Sequence, residues 1–160
     1  MGTHRYSISI AAPPEAAYDL FANPHRHAEW ESGNPQVTNL SSSTLQPGTT
    51  YDLSYGGGSQ VGSARSGRLT YHVRVEAADR PHRFATSASG PFGLRATTRS
   101  EFVPANGETR STLEMELRWP IPILGRLIEF VILPPRVVRQ ELARFKAIAE
   151  RDSQTQSGRR

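Results

Sequence analysis

The chain has 160 residues, a one-domain length long enough to bury a core without disulfides or metal. It contains no cysteine, which excludes a disulfide framework, thiol chemistry and a cysteine metal site. The net charge is +4, but the arginines are scattered and alternate with acids, so nucleic acid is not an expected partner.

No N-terminal apolar run resembles a secretory signal. Tyr6 stands where a myristoylation motif wants Ser or Thr. A cytoplasmic location is therefore expected. Tyr6, Ile8 and Ile10 alternate with Ser7 and Ser9, which predicts a strand over Arg5 to Ala11 with one buried face. Pro13-Pro14-Glu15 opens a helix, since proline is tolerated in a first turn and an acid there suits the helix dipole. Ala17, Leu20 and Phe21 form its apolar side, and Asn23-Pro24 ends it. His25 to Glu31 reads as a second short helix or turn carrying Trp30.

From Gln36 onward the signals are those of strands. Gln36 to Ser41 is weakly patterned. Thr50 to Tyr55 alternates Tyr51, Leu53 and Tyr55 against Asp52 and Ser54. Gly56-Gly57-Gly58-Ser59 is a hairpin loop. Gly67 to Ala77 alternates Leu69, Tyr71, Val73 and Val75 against His72, Arg74 and Glu76. Arg83 to Ser89 and Leu94 to Val103 follow, and Asn106-Gly107 marks a hairpin into Glu108 to Trp119. Strands joined by hairpins make an antiparallel sheet with one buried and one solvated face.

Ile123 to Asp152 reads as a long helix interrupted by Pro134-Pro135. In its second half Val138, Leu142, Phe145 and Ala149 share a face, as in a helix lying on a core. Leu124 to Leu133 is apolar nearly all round, so one of its faces can meet the sheet. The other needs a ligand, a partner subunit (a homodimer) or a membrane surface. The stretch is too short and too charged for a transmembrane segment, which needs about 20 apolar residues. Residues 1–152 thus form one expected domain, with a disordered polar tail over 153–160.

Ile8-Ser9-Ile10-Ala11-Ala12-Pro13-Pro14-Glu15-Ala16-Ala17-Tyr18-Asp19-Leu20-Phe21-Ala22-Asn23-Pro24, then Glu29-Trp30, resembles the opening of the polyketide cyclase/dehydrase-like group of the START/Bet v 1-like (SRPBCC) superfamily. Glu141 to Glu150 is similar to its C-terminal signature. The resemblance implies an α+β helix-grip fold, with a curved antiparallel sheet of about seven strands around the long helix and a hydrophobic cavity between them. The superfamily includes carriers, receptors and enzymes, and fold does not fix function.

The strand face assigned as inner carries no side chain ionisable near neutral pH. Its apolar, aromatic and hydroxyl groups are those that line small-molecule pockets. The expected ligand-binding residues are Trp30, Tyr51, Leu53, Tyr55, Tyr71, Phe84, Thr98, Met115 and Trp119, with Leu127, Phe130 and Val131 from the helix. His72, Arg74, Glu76, Arg99, Glu101, Glu114, Glu116 and Arg118 fall on the opposite parity, as a solvated ladder of charges. His25-Arg26-His27-Ala28-Glu29-Trp30-Glu31 is the densest titratable cluster. Its spacing matches no metal motif, and a surface helix is expected there. The resemblance places this segment at the cavity mouth, where His27 or Glu29 can sit.

There is no Walker loop, dinucleotide fingerprint or G-x-S-x-G elbow, and neither cofactor nor metal is expected. Two functions follow. One is binding of a hydrophobic, lipid- or polyketide-like molecule as carrier or sensor. The other, implied by the resemblance, is cyclisation or dehydration of an aromatic or polyketide substrate. No catalytic residue is assigned. Tyr51, Tyr55 and Tyr71 are the inward candidates, and a tyrosine of ordinary pKa, about 10, needs a partner to act as a base.

Overall fold

The computed structural model describes residues 2–56, 68–123, 125, 129 and 134–158. Strand β1 (Gly2–Ile10) is followed by α1 (Pro14–Ala22), a 3-10 turn (Pro24–Arg26) and α2 (His27–Trp30). Six strands come next: β2 (Gln36–Thr38), β3 (Thr50–Tyr55), β4 (Leu69–Asp79), β5 (Arg83–Ser89), β6 (Arg95–Ala105) and β7 (Glu108–Arg118). The long helix α3 (Pro135–Ser157) closes the chain. All seven strands form one antiparallel sheet in the order β1-β7-β6-β5-β4-β3-β2. This is the expected α+β helix-grip arrangement.

Local chemistry sets the punctuation. Proline opens α1, and the Asn23 side chain accepts from the His25 amide, which caps the turn after it. Asn106 and Gly107 have φ of 52° and 78°, the left-handed pair that a tight hairpin requires. A bulge at Glu76 shifts the pairing between Val75 and Ala77. Val75 and Ala78 therefore both reach the core, and Glu76 stays outside, accepting from Ser87 Oγ.

The charged parity faces outward as expected. Asp52 meets His72, Arg99 meets Glu114 and Arg118 meets Glu116 on the convex side. On the concave side α1 covers Phe84, Phe102 and Leu113, and α3 packs in turn on α1, α2 and β1. Phe145 on α3 packs edge-on against Phe21 and Trp30, at ring-centroid distances of 6.0 and 5.3 Å.

Pro134 has extended φ/ψ of −61° and 136° and caps α3, so the predicted interruption is real. The helix does not stop at Asp152. It runs through Ser157, and the hydroxyls of Thr155 and Ser157 donate to the carbonyls of Arg151 and Ser153. The polar composition over 153–157 reads as disorder, but Gln154 and Gln156 are good helix formers and extend a helix already anchored by packing. The predicted loop beyond Gly56 and most of Leu124 to Leu133 lie outside the described residues. Gly125 and Glu129 have helical backbone. No described helix is long and apolar enough to cross a membrane.

Phe145→Ala removes the side chain that ties α3 to α1 and α2. It is expected to lower stability by about 3–5 kcal/mol in denaturant titration. A loss under about 1 kcal/mol would place α3 outside the cooperative core.

Candidate functional site

The concave face is divided in two. Phe84, Ser100 and Leu113 lie directly across from one another on β5, β6 and β7, and all are buried. Two residues along the same strands, Thr86, Thr98 and Met115 form the next rung of that face, and each stays only half-buried. Beyond them Ala88 and Ala96 are half-buried as well, while Leu117, Val73 and Tyr51 on the same rung are buried. One end of the face is thus a closed core, and beyond it lies an open patch of half-covered side chains, Thr86, Thr98, Met115, Ala88 and Ala96.

A chain of polar groups stands apart from that patch, between α2 and the end of β3. His27 is 7% exposed, in contrast to the surface helix expected for this segment. Its Nε2 donates to the Phe21 carbonyl at 2.9 Å. Its Nδ1 lies 2.9 Å from Glu31 Oε1, as an ion pair out of line for a good hydrogen bond. Both ring nitrogens face acceptors, which is the environment of an imidazolium. The other oxygen of Glu31 accepts from the Tyr55 hydroxyl. The Tyr55 ring in turn sits edge-on to Tyr71, centroids 5.6 Å apart.

Burial works to lower the His27 pKa, but the charge and contact of Glu31 and the Phe21 carbonyl outweigh it, so the net shift is upward. Burial first, then the charge of Glu31 and the bond to it, hold the Tyr55 phenol well above 10.0. Tyr55 is therefore a neutral phenol whose proton is committed to Glu31. Glu141, on α3, accepts from the Ser32 amide at 2.8 Å. Its carboxyl is raised mainly by burial, and its charge reaches Tyr55. Burial also raises Tyr51 and Tyr71.

The expected ligand-binding residues are distributed unevenly. Thr98 and Met115 lie in the open patch, and Tyr55 and Tyr71, also half-buried, stand beyond it on β3 and β4. Tyr51 and Leu53 are buried on β3. Phe84 belongs to the closed core, and so does Trp30, stacked on Phe21 at 5.7 Å and 5% exposed. Trp119 is half-buried and donates from Nε1 to Glu129 Oε1 at 2.9 Å, beside His4. A Cβ on Gly125 would run into the Trp119 ring, so only glycine permits that approach. Leu127, Phe130 and Val131 lie outside the described residues. Glu29 is exposed and paired with Arg26, whose guanidinium also reaches Asp152 on α3. Glu31 and Glu141 are not among the residues expected at the site. The spacing of His27 and Glu31, one helical turn apart, is the available signal for the first. Nothing local marks Glu141, which arrives from the far end of the chain.

A histidine raised above its ordinary 6.5 contributes stability that is complete below 6.5 and fades as pH climbs through its folded pKa. His27→Gln should therefore show its largest melting-temperature deficit near about pH 6, shrinking toward about pH 9. A deficit constant over that range would mean that His27 is neutral throughout.

A family model described as polyketide cyclase / dehydrase and lipid transport matches residues 1–150. No curated protein matches the chain in sequence. Among solved structures, CV1439 from Chromobacterium violaceum superposes with a TM-score of 0.68 at 18% identity, over 94% of this chain and 99% of its own. TTHA0849 from Thermus thermophilus gives 0.68 at 19%, over 95% and 99%. The di-domain ARO/CYC StfQ from the steffimycin biosynthetic pathway gives 0.67 at 14%, over 94% of this chain and 46% of that one. At these identities the structural likeness is one of fold. Matched over nearly its whole length and built on the helix-grip arrangement, the chain belongs to the polyketide cyclase/dehydrase and lipid transport family.

Proposed function

We propose that the chain binds a hydrophobic small molecule, lipid- or polyketide-like, between the open end of the concave face and the C-terminal helical region, as a carrier or sensor. The observation that carries this reading is the half-buried rung Thr86, Thr98 and Met115. These residues lie on interior strands of the sheet, where a filled core would bury them as it buries Phe84, Ser100 and Leu113. Tyr55 and Tyr71 add aromatic walls with polar tips, a lining suited to an apolar ligand with some polarity. Leu127, Phe130 and Val131 are proposed to complete the wall from the helical side.

A second reading is catalysis of a cyclisation or dehydration in the same space. The linked His27, Glu31 and Tyr55 favour it, because they supply the acid/base partner that the tyrosines lack in the sequence.

Native mass spectrometry of the purified protein, followed by denaturing extraction, tests the binding reading. A retained apolar compound, or uptake of an added hydrophobic probe, is expected. Thr98→Phe fills the open end and should weaken probe binding by at least about tenfold with the fold retained. Undiminished binding would move the ligand elsewhere. For the enzymatic reading, Tyr55→Phe should reduce a demonstrated turnover by about 10²–10⁴-fold, and unchanged turnover would remove Tyr55 from the chemistry.

A further inference from the structure

Four large apolar side chains are exposed among the described residues, and three of them meet at one end of the sheet. Phe92 is 78% exposed, Ile121 59% and Ile123 86%. Phe92 tips the loop between β5 and β6, and Ile121 and Ile123 follow β7. The pairing of Arg95 with Arg118 sets these two segments side by side. They still touch beyond the strands, where a Cβ on Gly93 would stand 2.6 Å from Cγ of Pro120. Phe92 and Ile121 flank that contact directly in the chain.

Both segments are held in place from within. The Gly90 amide donates to the Leu94 carbonyl, and the Leu94 amide to the Pro91 carbonyl. Gly90 lies against the Tyr71 ring, which seats the base of the loop on the sheet. Phe92 has φ of 58°, in the left-handed region that a phenylalanine rarely adopts. On the other segment Pro120 and Pro122 fix φ, and the Gly125 amide donates to the Ile121 carbonyl. Three apolar side chains are thus presented to solvent on backbone with little freedom left to lose on contact.

Arginines flank this tip. Arg68 precedes β4, Arg95 opens β6 and Arg118 ends β7, and all three are exposed. Arg118 donates to Glu116, whereas Arg68 donates to the neutral Gln36. Arg95 has no ion-pair partner among the described residues. Positive charge therefore exceeds negative around the apolar tip.

We infer that Phe92, Ile121 and Ile123 insert into the interface of an anionic phospholipid membrane, with Arg68, Arg95 and Arg118 meeting its phosphates. The inference is independent of the pocket reading. Apolar side chains at the acyl boundary and cations among anionic head groups are the two attractions that hold a protein at a membrane surface. A protein partner fits less well, because three side chains on two loops offer far less than the roughly 800 Å² that each partner gives to a standard interface. A second copy joined through the same patch would bring the arginines of both copies together.

Co-sedimentation with vesicles tests this, using phosphatidylcholine alone and an equal mixture of phosphatidylcholine and phosphatidylglycerol. The protein is expected to bind the mixed vesicles at least about tenfold more tightly than the neutral ones. In Phe92→Asn/Ile123→Ser the asparagine tolerates the left-handed backbone, so the circular dichroism melt should be unchanged while binding to the mixed vesicles falls at least about tenfold. Arg95→Gln should narrow the preference for the mixed vesicles. Failure of the unaltered protein to bind the mixed vesicles overturns the inference, as does equal affinity for both kinds or binding that survives the double variant. A lipid-free dimer in analytical ultracentrifugation that the double variant converts to a monomer also overturns it, and assigns the tip to a second copy.

Discussion

The apolar face of α3 closes one end of a curved sheet, and the rest of the molecule is arranged around that contact. Val138, Leu142, Phe145 and Ala149 are all buried along it. Phe145 inserts between Phe21 of α1 and Trp30 of α2, so one side chain fastens three helices to one another over β5, β6 and β7. Each such buried aromatic is worth roughly 1.5–3 kcal/mol in transfer from water, before the cost of the cavity its loss would leave. A single helix about 10 Å across cannot cover a sheet of seven strands, which are spaced about 4.8 Å apart. The rung of Thr86, Thr98 and Met115 stays incompletely buried.

The polar chain follows from the same packing. Carbonyls in the last turn of a helix have no partner inside the helix, and the C-terminus of a helix favours a cation. Phe21 lies in the last turn of α1, and the His27 ring donates to its carbonyl. The turn between α1 and α2 is short, so His27 folds back under α1, stacks near Trp30 and becomes buried. A buried imidazolium needs an anion, and Glu31, one turn on, is the anion within reach. Arg26 holds the outside of the same segment to Glu29 and to Asp152 of α3. The titratable cluster is thus split. Arg26 and Glu29 remain at the surface, while His27 and Glu31 turn toward the sheet.

How much of this was legible in the sequence differs by element. Alternation over Thr50 to Tyr55 and Glu108 to Trp119 assigned the strand faces correctly, because a period of two admits only two choices and charge picks the wet one. Asn106-Gly107 and Pro134-Pro135 were legible because each demands a particular backbone. The bulge at Glu76 was not, since the extra residue depends on how β4 meets β5. Residues 153–157 read as tail, because their helical state comes from propagation of α3 and not from any apolar pattern of their own. Of the proposed site, Tyr55, Tyr71, Thr98 and Met115 came from strand parity. Trp30 and Phe84 share the same chemistry, and only packing shows that they belong to the closed core.

The sequence by itself determined the antiparallel sheet, its inner and outer faces, the terminal helix and the family to which the pattern belongs. These rest on local periodicity and turn chemistry, which neighbouring residues decide among themselves. The tertiary structure decided which inner residues are covered and which stay open. It also decided that His27 is buried, and that Glu31 and Tyr55 meet across 24 positions of chain, with Glu141 near them from 109 positions beyond Ser32. The physical reason is that burial and charge pairing depend on where separate elements come to rest, and no single stretch of this chain carries that information.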